Sequence, residues 1–445
     1  MTCWQKLPPE IRWEIFEIVS QDYNHNSEPL ARAGYERVCR EWHAFFGERN
    51  FRELVLDQNS LFGLDRMADG KYRWRRDYLR RLVLRVRPEG YHCVAGELRE
   101  DRTNIREDGE LLNRALWNLL AIVSTWKRTE HGDRGLILEI GPDSPSDSRH
   151  AFGNYQYLQT EDRGRQFRTY EPEALAWDFH RGHQGFPEAR AVTGLVIRRH
   201  CYRNIDPHLL STLLRGSFTC LKWFRHEVWH GVHPPLQPLF EKDHQWLISG
   251  DLPSTRRQLR LLEDLNGLQQ RQPMRPARST WSEALSRSSR HIELLSACFL
   301  AEAESFFSKV AHVELDSGEL DEPGWQNLRT MVLTARLANP GEPLSEIDEL
   351  LVNAMITACF MPKLETMEIW NASQGQACLF RYSTKGEHPQ IAWRTTRDVN
   401  FELQPCLIIL ASERAQGNAQ RPPAVVQERL LGEDGMAETY SFVPS

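Results

Sequence analysis

The residues of this 445-residue chain whose types and spacing could do chemistry are His226-Glu227-Val228-Trp229-His230. In H-E-x-x-H, two histidines one helical turn apart hold zinc and the glutamate activates a bound water, which is the apparatus of a zinc hydrolase. That chemistry needs a helix running through both histidines. Gly231, Pro234 and Pro235 stop any helix just after His230, and Leu221 to Val228, with large apolar groups at Leu221, Trp223 and Val228, reads as a strand. In a strand the two imidazoles lie about 13 Å apart and cannot share a metal. His180, His183 and His233 add ligands only if the fold happens to gather them, and no third-ligand extension follows. The expectation is therefore no metal and no cofactor.

Other chemistries have less to stand on. No G-x-x-x-x-G-K-[ST], G-x-G-x-x-G or G-x-S-x-G occurs, so phosphate loops, dinucleotide folds and nucleophile elbows are absent from the sequence. Acidic pairs such as Glu263-Asp264 and Asp348-Glu349 read as ordinary helix or loop charges. With no catalytic constellation, the chain is expected not to be an enzyme. The nine cysteines are scattered without a CxxC pair, as in a reduced intracellular protein of cytoplasm or nucleus. The start, MTCWQKLPPE, has no apolar leader, and no run approaches the roughly 20 residues of a membrane span. A formal charge of -6 argues against a specific nucleic-acid partner, whose affinity would rest on many surplus Lys and Arg.

The elements that must position any surface are legible in outline. At 40% hydrophobic, with 14 Trp and 19 Phe, most of the chain can build a core, and its length calls for several folding units or one repeat array. Pro8 and Pro9 suit a helix start, and Ile11, Ile15 and Ile18 recur at helical spacing. After a polar loop, Gln21 to Glu28, the residues Tyr35, Val38, Cys39, Trp42, Phe45 and Phe46 fall on one helical face. Some fifty residues cannot bury so many large apolar groups internally, so part of that surface calls for a partner.

The wording of this segment is specific: Leu7-Pro8-x-Glu10-Ile11-x3-Ile15, then Val38-Cys39-Arg40-x-Trp42, then Phe51-Arg52-x-Leu54. It resembles the F-box motif, with a longer polar loop than usual and Phe51 where a Trp often stands. The resemblance implies a three-helix module over residues 1–56 that docks on the adaptor subunit of an SCF ubiquitin ligase. It also implies Leu7, Pro8, Ile11, Ile15, Val38, Cys39 and Trp42 as the adaptor contacts.

Lys71 to Arg87 carries eight basic residues and one acid, and its second half alternates Leu82, Leu84 and Val86 with Arg81, Arg85 and Arg87. That reads as a strand with one apolar face, its cations lining a solvated sheet edge. The phrase Leu79-x2-Leu82-x-Leu84 returns as Leu328-x2-Met331-x-Leu333 and Leu364-x2-Met367-x-Ile369, a degenerate leucine-rich-repeat core. Further strands are expected at Gly135 to Ile140, Val192 to Ile197, Leu221 to Val228 and Val310 to Leu315. Helices are expected at Leu111 to Trp126, His208 to Leu214, Cys298 to Val310 and Glu346 to Phe360. Strand and helix in alternation favour parallel pairing. Pro88 to Glu110, Gly141 to Gly164 and Gln269 to Arg290 read as loops.

The predicted fold is thus α/β: an N-terminal three-helix F-box, then an irregular leucine-rich-repeat-like solenoid with parallel strands over 57–411, then a loosely held tail over 412–445. The C-terminal half is also similar to filamentous-fungal F-box proteins of unassigned substrate, through Leu295 to Phe307, Trp325 to Leu337, Met361 to Asn371 and Ala377 to Arg394. The implied function is substrate recognition in ubiquitin-dependent protein degradation, with the SCF adaptor and, through it, cullin on one side and a protein substrate on the other. The alternatives are a non-degradative F-box scaffold on the same adaptor and, remotely, the zinc hydrolase of His226, Glu227 and His230.

Overall fold

The computed structural model describes residues 3–26, 34–68, 70, 73–90, 102–127, 135–144, 185–199, 204–228, 237–263, 278–308, 324–335, 343–373, 376–385, 388–396, 403–415 and 423–429. Among these, twelve strands form one sheet: β1 Glu53–Asp57, β2 Arg81–Val86, β3 Leu136–Pro142, β4 Val192–Ile197, β5 Trp223–Val228, β6 Gln258–Glu263, β7 Leu294–Glu302, β8 Thr330–Thr334, β9 Thr366–Ser373, β10 Gln376–Ser383, β11 Gln390–Thr395 and β12 Ala424–Arg429. Their order in the sheet is their order in the chain. Two helices precede β1, α1 Pro9–Asn26 and α2 Arg40–Arg52, and between the strands lie α3 Leu61–Ala68, α4 Trp74–Tyr78, α5 Arg102–Val123, α6 Pro207–Thr212, α7 Gln237–Trp246, α8 Arg278–Ser288, α9 Leu344–Cys359 and α10 Pro405–Ala415.

Why a strand adds beside the previous one is written in its residues. Many of the strands offer two apolar side chains, two residues apart, to the same face. Leu82 and Leu84, Leu259 and Leu261, Met331 and Leu333, Met367 and Ile369 all lie on that face and are buried in one continuous core with α5, α8 and α9. Leu259, Leu295, Met331 and Met367 are register partners across β6 to β9, each thirty-six residues from the last. The same spacing links the turns: Trp325 donates its indole N–H to Ser289 Oγ at 2.8 Å, and Lys363 donates to Asn327 at 2.9 Å. A sequence period that returns each residue beside its own equivalent makes every unit a template for the next.

All neighbouring strands pair in parallel except β9 with β10 and β10 with β11, where short connections turn the chain back antiparallel. The expected all-parallel array is corrected there. Residues Cys298 to Glu302, expected in a helix, continue β7 through an irregularity, with Phe299 at φ 62 and its N–H held by Thr334 Oγ1 at 2.7 Å; helix follows only at 303–308. The expected loops at Pro88 to Glu110 and Gln269 to Arg290 contain the start of α5 and the whole of α8. The stretch from Ser412 holds the end of α10 and the strand β12, which pairs with β11. The expected strand Val310 to Leu315 lies outside the described residues. β2 is not a sheet edge: β1 pairs on one side of it and β3 on the other, and Arg81 forms ion pairs with Glu53 at 3.4 Å and with Glu139. β1 itself straddles the expected boundary at residue 56.

Candidate functional site

The N-terminal helices are built around aromatic rings. Phe16 of α1 stacks on Phe45 of α2 at 4.6 Å, Trp4, Trp42 and Phe46 close around it at 5.2 to 6.0 Å, and Tyr35 packs on Trp42 and Phe46 at 5.7 and 5.1 Å. Polar links fix the helix pair at its rim. Glu41 accepts the Trp4 indole N–H at 2.7 Å and an ion pair from Arg12, and those hydrogen bonds hold its carboxyl below the usual range. Arg49 reaches Glu17 at 2.8 Å while lying 3.5 Å over the Phe45 ring. The pair is not loose on the sheet: Trp74 of α4 packs edge-on against His43 and Phe51, and the Arg80 N–H bonds the Arg52 carbonyl at 2.9 Å.

With Phe16 and Ser20 turned inward, helical geometry leaves Ile11, Ile15 and Ile18 on a different face of α1. Ile11 is 42% and Ile18 55% exposed, while Ile15 is half-buried. The seven residues singled out from the sequence therefore separate. Pro8, Ile11, Val38 and Cys39 are exposed, Leu7 and Ile15 half-buried, and Trp42 belongs to the aromatic core of the pair. Val38 and Cys39 do not continue the helical face of Trp42, because α2 begins at Arg40 with Cys39 as its extended cap. One exposed apolar position joins the surface, Ile18, while Trp13, at 59% exposure, lies on another face of α1, where its ring meets Phe45 edge-on at 5.3 Å. Sequence reasoning did not single out Trp13, because nothing in its spacing marks it.

The residues of H-E-x-x-H are pulled apart by β5. His226 points into the core, in the position that leucine takes in other strands, stacking on Phe224 at 5.7 Å and on His244 of α7 at 5.3 Å. Burial, with the neighbouring His244, drives its pKa well below the ordinary imidazole value. Glu227 points to the opposite face, where it accepts Arg225 at 2.6 Å and the Arg199 N–H at 3.3 Å. The helix that the zinc motif requires is absent at His226 and Glu227; His180, His183, His230 and His233 lie outside the described residues. Among the described residues no cluster of three His, Cys, Asp or Glu could hold a metal, and no helix is long and apolar enough to cross a membrane.

Comparison with known proteins bears on the sheet alone. Residues 250–432 are similar to a family of unknown function, DUF6546. The match covers β6 to β12, so it begins where the thirty-six-residue register begins. No curated protein and no solved structure matches the chain.

Proposed function

We propose that the chain is the substrate-recognition subunit of an SCF-type ubiquitin ligase, holding the ligase's adaptor through its N-terminal helices and a protein substrate through its sheet. The observation that carries this reading is the Ile11, Ile15, Ile18 stripe, an apolar face that α1 turns away from its own aromatic core. An exposed aliphatic cluster on a helix anchored from behind is the form of a binding hot spot, since it is rigid and waits only for water to be excluded. Leu7, Pro8, Val38 and Cys39 flank it in the sequence pattern of an F-box. Two of the three helices that the resemblance implies correspond to α1 and α2, while its closing segment, Phe51 to Leu56, ends α2 and then continues as β1.

The sheet favours the second half of the reading. Its sequential strand order and thirty-six-residue register suit a leucine-rich-repeat-like solenoid, whose uncovered face recognises partners by side-chain detail. The chain's contribution in such a complex is proximity: it raises the local concentration of substrate lysines beside the ubiquitin-charged enzyme, and the bond-making belongs to other subunits. The reading is tested by co-purifying the intact chain with the SCF adaptor, beside a variant carrying Leu7→Ala, Pro8→Ala and Ile11→Ala. A stoichiometric complex, lost in a variant that melts like the parent, supports it. Failure of the well-folded parent to bind removes it.

A further inference from the structure

On the face of the sheet turned away from the helices, one register row runs Glu139, Val196, Arg225, Arg260, Ser296 and Val332. Glu139, Val196 and Val332 are buried, but Arg225, Arg260 and Ser296 are half-exposed, so the middle of the row is its open part. Several carboxylates on this face are paired among the described residues. Glu139 takes Arg81 and Arg198, the latter at 3.2 Å; Glu227 takes Arg225; Glu368 takes Arg381 at 2.6 Å. Arg260 makes no ion pair or side-chain hydrogen bond among the described residues, and its register partner on β5 is another cation, Arg225. Burial and then that neighbour lower its pKa.

A half-desolvated guanidinium beside a like charge weakens the fold, and an apolar side chain with the same stem would do better there. Charges held at such a cost gather where a ligand supplies the missing counter-charge. We propose that Arg260, with Arg225 beside it, receives a carboxylate from an acidic segment of a protein lying across β5 to β7. A guanidinium takes a carboxylate through two parallel N–H bonds, which fixes orientation as well as sign. The half-exposed Trp223, Leu262 and Leu294 on the same face give the rest of a peptide apolar surface to cover. A nucleic acid is disfavoured by the matched state of the neighbouring cations and the formal charge of -6.

The inference rests on the reading that this sheet presents a protein substrate, and its test leaves the adaptor out so that the two can fail separately. The intact chain is titrated into a fluorescein-labelled Glu-Leu repeat decapeptide, its Gln-Leu counterpart and a single-stranded RNA oligonucleotide, followed by anisotropy, with Arg260→Gln and Arg260→Glu alongside. The acidic peptide is expected to bind about tenfold more tightly than the amide peptide. Arg260→Gln should erase most of that difference and Arg260→Glu all of it, while the melting temperature of Arg260→Gln stays equal to the parent's or rises. Equal binding of the two peptides, tighter binding of the RNA, or an unchanged preference in Arg260→Gln would overturn the proposal. A melting temperature lowered by several degrees in Arg260→Gln would also overturn it, by making Arg260 a structural residue.

Discussion

The N-terminal helix pair and the sheet solve the same problem of large apolar residues in different ways. In the sheet, the paired apolar positions of strands such as β2, β6, β8 and β9 go to one face, and α5, α8 and α9 cover them in a single core. Among the described residues of the helix pair, the buried apolar side chains are Phe16, Phe45 and Phe46, and Ile11 and Ile18 are left to solvent. Large apolar side chains are also exposed beyond the helix pair, Phe62, Leu239 and Trp246 among them, so the contrast lies between the inner face of the sheet, which is closed, and the outer face of α1, which is open. The sheet's apolar face holds the molecule together, and we propose that the helix's outer face serves a partner.

Single substitutions can break that contrast. Met331→Ala, which empties a fully buried position of the shared core, should cost about 2–5 kcal/mol in denaturant unfolding. Ile11→Ala and Ile18→Ala should each stay within about 0.5 kcal/mol of the parent, because those side chains touch water already. Equal losses at the two regions would mean that the stripe is covered in solution and the contrast is false. Gly194→Ala should come next, at about 1–3 kcal/mol, since a Cβ there would run into the Trp223 indole on the neighbouring strand.

His226 sharpens the comparison through pH. It occupies a leucine position in the core and is kept neutral, so its folded-state pKa lies below the unfolded value of 6.5. As pH falls through 6.5 the unfolded chain takes up a proton that the folded chain refuses, so stability is intact above that pH and lost below it. The loss is at most about 1.4 kcal/mol per pH unit. Thermal melts between pH 7.5 and 5.5 should show the parent losing more than His226→Leu, and identical slopes would contradict the burial. The smallest expected effect is on salt: adaptor binding by an apolar stripe should change by no more than about twofold between low and high salt, whereas an Arg260–carboxylate contact should weaken with screening.

Much of the sheet was legible because its signal is local. Leu79-x2-Leu82-x-Leu84 and its two echoes near residues 328 and 364 fall on β2, β8 and β9, and the spacing between the last two is the register of the array. The errors arose where tertiary contacts override propensity. Cys298 to Glu302 reads as the start of a helix, but a positive φ at Phe299 and the Thr334 hydroxyl keep it in β7. Ala424 to Arg429 looks like tail because it is a short run set among polar residues and Pro422-Pro423, and it pairs as a strand with β11. The site was legible as a list of apolar positions and not as a surface. Sequence put Trp42 beside Ile11, while the fold turns one into the aromatic core and leaves the other outside.

The central claim, that the outer face of α1 is an interface, is tested most directly by hydrogen–deuterium exchange of the intact chain with and without the SCF adaptor. The account predicts new protection over Leu7 to Val19 and at Val38 to Trp42, with β6 to β9 unchanged. Unaltered exchange across the N-terminal helices at saturating adaptor, or protection confined to the sheet, would contradict it.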